Sequence, residues 1–174
     1  MRITRKAVFV SLLCVAFAGP AMAQEIVNFK QMQEFLPKAD LAGYTKGKPG
    51  GETTKAMGMA SSQATLRYEK SDGAAIVITI SDTAGVAMAA MGLGMIGMME
   101  YENETENGYD KSVKVQGFPG TEKVERGESP SADIMVVVAK RFMVELRCEG
   151  CDDIANLKKL IESMDLAGLA KLAK

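Results

Sequence analysis

The sequence predicts an α+β fold, with an antiparallel sheet of about six strands sandwiched by helices, and three observations carry that expectation. Short β-branched or alternating runs recur between glycine and proline turns from residue 62 to residue 149, as in strands joined by hairpins. Three segments, 27–35, 83–99 and 152–172, instead space their apolar residues three and four apart, the pattern of a helix that buries one face. These segments fall before, between and after the strands, and no internal repeat or low-complexity linker divides the chain. One domain with helices laid on a sheet is therefore expected.

Residues 1–23 stand outside that domain. Arg2, Arg5 and Lys6 form a basic start, Ala7 to Ala18 an apolar core, and Ala21-Met22-Ala23 a small-x-small cleavage site, which together read as a secretory signal peptide. Cys14 lies within the apolar core, and Ser11-Leu12-Leu13 before it makes a poor lipid-attachment motif because a large residue directly precedes the cysteine. The expected mature chain, 24–174, is then periplasmic or secreted, with no transmembrane anchor after cleavage.

The leader holds three of the 21 basic residues and none of the 22 acidic ones, which leaves 18 against 22 and a net charge of −4. No basic footprint for a nucleic-acid partner remains. The partner expected is a protein or a small molecule of unknown identity. Histidine is absent, which excludes Ser-His-Asp and Cys-His catalysis, imidazole-ligated zinc and histidine-ligated haem. A binding or accessory role without a cofactor is the expected function, more readily than an enzymatic one.

The domain begins with a short amphipathic helix over Val27 to Phe35, ended by Pro37, because a residue preceding proline is pushed out of the helical region. Leu41 to Gly58 holds five glycines and Pro49 and reads as a loop with room for a short strand around Tyr44. Its GKPGGETTK stretch does not match the spacing of a phosphate-binding loop. Ser62 to Glu69 alternates, with Ala64, Leu66 and Tyr68 on one side, and predicts a half-buried strand. Ser71-Asp72-Gly73 then turns the chain into the β-branched strand Ala74 to Ser81.

Thr83 to Met99 contains no charge, and Met88, Met91, Met95 and Met98 form one stripe that Met99 extends. Asp82 or Thr83 is placed to cap such a helix. Three readings compete for it. Methionine fills irregular space between a helix and a sheet. Thioethers also suit Cu(I) or Ag(I), with Met57 and Met59 as further ligands. A membrane span is the third, but seventeen residues give about 25 Å of helix against a hydrocarbon core of about 30 Å. The spacing and the predicted strands on both sides favour the helix that covers a sheet.

The acidic stretch Glu100 to Asp110 reads as a solvated loop, since it lacks the ordered calcium-loop pattern. Lys111 to Gln116 and Thr121 to Arg126 predict strands around a Gly117-Phe118-Pro119-Gly120 turn. Two more follow around Lys140-Arg141. The first, ADIMVVVAK, is almost continuously apolar, which predicts a central strand covered on both faces. Asp152 to Leu172 closes the chain as helix, with Asp165 capping its final turns.

Within this order, VKVQGFPGTEKVE from Val113 to Glu125 resembles the strand-Gly-aromatic-Pro-strand hairpin of the PsbP/Mog1-like superfamily, and the strand running into the closing helix after Arg141 resembles the end of such domains. The resemblance implies a sheet sandwiched by helices in an exported protein. It carries over no catalytic residue.

Cys148-Glu149-Gly150-Cys151 holds the two cysteines outside the leader. In an exported chain they predict a small disulfide loop between strand and helix. A thiol redox pair is the sharper reading, since the start of a helix favours a thiolate, and a metal pair is a third. Asp152 and Asp153 beside Cys151 oppose the thiolate.

Overall fold

The structure, a computed structural model, describes residues 25–56, 59–84 and 100–174, with Met59 placed by its backbone alone. The strands are β1 (Thr45–Lys46), β2 (Gly50–Ala56), β3 (Met59–Glu69), β4 (Ala75–Asp82), β5 (Glu102–Thr105), β6 (Gly108–Val115), β7 (Phe118–Glu125), β8 (Ser131–Val138) and β9 (Phe142–Glu149). They form one nine-stranded antiparallel sheet in the order β1-β3-β4-β9-β8-β7-β6-β5, with β2 also paired to β3. The helices are α1 (Phe29–Gln33), α2 (Ile154–Glu162) and α3 (Leu166–Lys171).

This corrects the expected architecture. Among the described residues strand accounts for 48% and helix for 15%, so the fold they form is a large antiparallel sheet with a few short helices and not a six-stranded sheet sandwiched by helices. The extra strands come from two stretches that composition marks as loops. Glycine-rich Gly50–Ala56 zips onto β3, from Gly50 opposite Thr65 to Ala56 opposite Met59. Acidic Glu102–Thr105 is held by β6, with all four of its residues exposed. Neighbouring strands supply their hydrogen bonds, and pairing outweighs weak intrinsic preference.

One face of the sheet is apolar. Leu66, Ile78, Leu146 and Ile134 are neighbours across β3, β4, β9 and β8, flanked by the rows of Ala64, Ile80, Val144 and Val136 and of Tyr68, Ile76, Cys148 and Ala132. All are buried in one cluster with Met32 and Leu36 of the α1 region and with Leu157, Leu160, Ile161, Leu166 and Leu169 of α2 and α3. The described helices thus share one face. The opposite face carries a charged row, Arg67, Val77, Arg147, Asp133 and Lys123. Strand β8 is interior in the sheet order, and its second face is covered at Val137, 2% exposed, but only partly at Ser131, Asp133 and Met135.

Local chemistry explains the remaining boundaries. Asn28 caps α1 by accepting from the Lys30 amide at 3.0 Å, which shortens the expected helix to Phe29–Gln33. The expected single closing helix breaks into two. Asp153 accepts from the Asn156 amide and Asp165 from the Gly168 amide, while the Ser163 hydroxyl bonds back to the Leu160 carbonyl at 2.6 Å. The expected turn around Gly117 to Gly120 moves to Gln116-Gly117, both at positive φ, and Phe118, Pro119 and Gly120 join β7. The β8–β9 turn is Ala139-Lys140, at φ 52° and 56°. The expected helix over 83–99 lies outside the described residues apart from Thr83 and Ala84.

Candidate functional site

Placing the β8–β9 turn at Ala139-Lys140 turns Arg141 inward. Its Nε donates to Asp82 Oδ1 at 2.9 Å and its Nη2 to Asp82 Oδ2 at 2.7 Å, the two-pronged geometry that suits guanidinium and carboxylate. Residue exposures are 5% for Arg141 and 3% for Asp82. Buried charge needs further partners, and the chain supplies them. Arg141 Nη2 also donates to the Glu25 carbonyl at 2.6 Å, and Nη1 reaches the Leu172 carbonyl at 3.5 Å. Asp82 accepts from the Val27 amide at 2.7 Å and the Ala84 amide at 3.0 Å. The Arg141 carbonyl takes bonds from the Thr83 amide and, at 2.6 Å, the Thr83 hydroxyl.

This pair joins four pieces of chain that are distant in sequence: the segment before α1, the end of β4, the β8–β9 turn and the end of α3. Between them and β2 opens a cleft of about 560 Å³, lined among others by Glu25, Gln31, Thr53, Lys55, Arg141 and Lys174. Its walls are held by fixed bonds. The Phe29 amide donates to Thr53 Oγ1 at 3.1 Å, Thr53 and Ser62 share a 2.6 Å hydroxyl contact, and Gln33 Nε2 donates to the Gly50 carbonyl at 2.8 Å. The cleft presents amides, hydroxyls and charges of both signs, a lining for a small polar ligand.

A second buried carboxylate, Glu122 of β7, sits under α2 at 2% exposure. It accepts from the Tyr109 hydroxyl at 2.6 Å and pairs with Lys158 Nζ at 2.9 Å. Burial, the hydrogen bond to Glu122 and the charge of Glu122 push the Tyr109 phenol up to about 12. Gln116 Nε2 donates to the Ile161, Glu162 and Met164 carbonyls at the end of the same helix. A groove of about 370 Å³ lies at the β5–β6–β7 end of the sheet, by Asn103, Thr105, Tyr109 and Arg126.

The expected disulfide is present. Cys148 and Cys151 are bonded, with their Cα atoms 5.5 Å apart. Cys148 is fully buried and Cys151 only partly, and Gly150 between them takes φ 70°. Of the methionines considered as metal ligands, Met59 opens β3, while Met57, Met88, Met91, Met95 and Met98 lie outside the described residues, as does Met99. Among the described residues, no group of three or more Cys, Asp or Glu is arranged to hold a metal ion, and no helix is long and apolar enough to cross a membrane.

Sequence reasoning missed the Asp82–Arg141 pair, reading Asp82 as a helix cap and Arg141 as a turn residue. One signal was available: Asp82 continues the every-second-residue phase of Ile76, Ile78 and Ile80, which puts it on the buried face, and a buried carboxylate demands a cation. Comparison with family models, with curated proteins and with solved structures finds no match for the chain, so the PsbP/Mog1-like resemblance rests on the hairpin and closing-helix residues alone.

Proposed function

We propose that the chain is an exported binding or accessory protein, not an enzyme, and that it takes a small polar ligand in the cleft beside Arg141. The observation that carries this reading is the cleft itself: its walls come from four separated segments, of which the Asp82–Arg141 pair ties three together and the bond from the Phe29 amide to Thr53 adds the fourth, β2, before any ligand arrives. Such preorganisation lowers the ordering cost of binding. Export is supported by the leader pattern in 1–23 and by the Cys148–Cys151 disulfide, a bond that persists outside the reducing cytosol.

Native mass spectrometry of the protein released from its own extracytoplasmic compartment tests the reading. A bound small molecule retained by the wild type and lost in Lys55→Glu supports it. A wild-type spectrum showing only the bare chain, or a ligand retained equally by Lys55→Glu, contradicts it.

A further inference from the structure

We infer that Cys151 is a thiol–disulfide exchange site, the sulfur at which an external thiol opens the Cys148–Cys151 bond. Exchange requires a thiolate to approach one sulfur while the other departs, and the two sulfurs here differ sharply in access. Cys148 lies on the apolar face of β9, paired across the sheet with Ile76 and Ala132, and is wholly buried in the core. Cys151 is part-exposed, just past the Gly150 turn and two residues before Asp153, the cap of α2. Attack from solvent therefore falls on Cys151, and Cys148 is the leaving group.

The co-reactant is a dithiol. Its first thiolate bonds to Cys151 Sγ, the Cys148–Cys151 bond breaks, and Cys148 departs with the electron pair and takes up a proton. The second thiolate of the dithiol then attacks its own partner sulfur in the mixed disulfide. Cys151 is released and protonated, and the dithiol leaves as a disulfide, having given up two electrons. The loop closed by the bond is only four residues long, with a sequence separation of 3, and the β9 pairings to β4 and β8 on either side of Cys148 are independent of it. The sheet accordingly outlasts the open state, and exchange is reversible in the folded protein. This inference is independent of the cleft and its ligand.

Brief treatment of the folded protein with glutathione, acid quenching and peptide mapping tests the direction of attack. Glutathione is expected on Cys151 with a free thiol at Cys148; adduct on Cys148, or adduct formed only in denaturant, overturns the inference. Because the mixed disulfide recloses rapidly, a second measurement uses Cys148→Ala and Cys151→Ala, each confirmed folded by circular dichroism. The lone Cys151 thiol should react with a chromogenic aromatic disulfide at least about tenfold faster than the lone Cys148 thiol, access and not core burial setting the rate. Equal or reversed rates overturn it.

Discussion

Asp82 and Glu122 are two buried carboxylates on the same face of one sheet, yet they do different work. Asp82 faces a cation that is itself buried, and its remaining capacity is taken by the Val27 and Ala84 amides. Glu122 faces a lysine whose side chain is 47% exposed, and shares the load with a tyrosine. The first arrangement buries both members of the pair, so it fixes the chain segments around it. The second leaves its cation half in solvent, where ion pairs contribute little. Burial of the carboxylate alone does not set its structural weight; burial of its partner does.

The comparison predicts unequal costs. Arg141→Ala leaves Asp82 buried without a cation and should destabilise the protein by about 3–5 kcal/mol in urea unfolding, whereas Asp82→Leu combined with Arg141→Met should recover much of that loss. Next in size is the disulfide that starts α2. Closing a loop of four residues restricts the unfolded chain modestly, so reduction should lower stability by about 2 kcal/mol without abolishing folding.

Glu122→Gln keeps an acceptor for Tyr109 and lets Lys158 turn to solvent, so it should cost only about 1–2 kcal/mol. Helix α2 is also held by the disulfide at one end and by Gln116 at the other. The same substitution should therefore cost more in the reduced protein. It also removes a charge that disfavours phenolate, so the Tyr109 phenol, pushed up to about 12, should titrate closer to its ordinary value of 10.0 by ultraviolet absorbance. The sign for stability follows. Because the folded-state value lies above the unfolded one, Tyr109 contributes its full stabilisation below pH 10.0 and loses it as pH rises toward about 12. Glu122→Gln should flatten that alkaline decline.

The smallest effect concerns the turn that aims Arg141. Ala139 and Lys140 both occupy the left-handed region, where a β-carbon is unfavourable. Lys140→Gly should stabilise the protein by about 0.5–1 kcal/mol.

What the sequence made legible was whatever depends on local periodicity. The alternation of Ala64, Leu66 and Tyr68, the Asp72-Gly73 turn and the apolar run through Val136-Val137-Val138 all marked strands or turns that the fold contains. Asp165 was recognisable as a cap because its role needs only the next three residues. What stayed hidden depends on partners far along the chain. Gly50–Ala56 and Glu102–Thr105 are strands because β3 and β6 lie beside them, and nothing within seven residues announces that. The Arg141 site is the same case in sharper form. A turn displaced by one residue from Lys140-Arg141 to Ala139-Lys140 separates a solvated arginine from a buried one, and the choice is made by Asp82, 59 residues away. The cleft draws on residues from Glu25 to Lys174, so no single stretch contains its signature.

Urea unfolding of Arg141→Met beside Lys158→Met tests most directly the claim that the buried partner gives a carboxylate its structural weight. A loss of about 3–5 kcal/mol is expected for Arg141→Met and less than about 1 kcal/mol for Lys158→Met. Equal losses, or a larger loss for Lys158→Met, would contradict it.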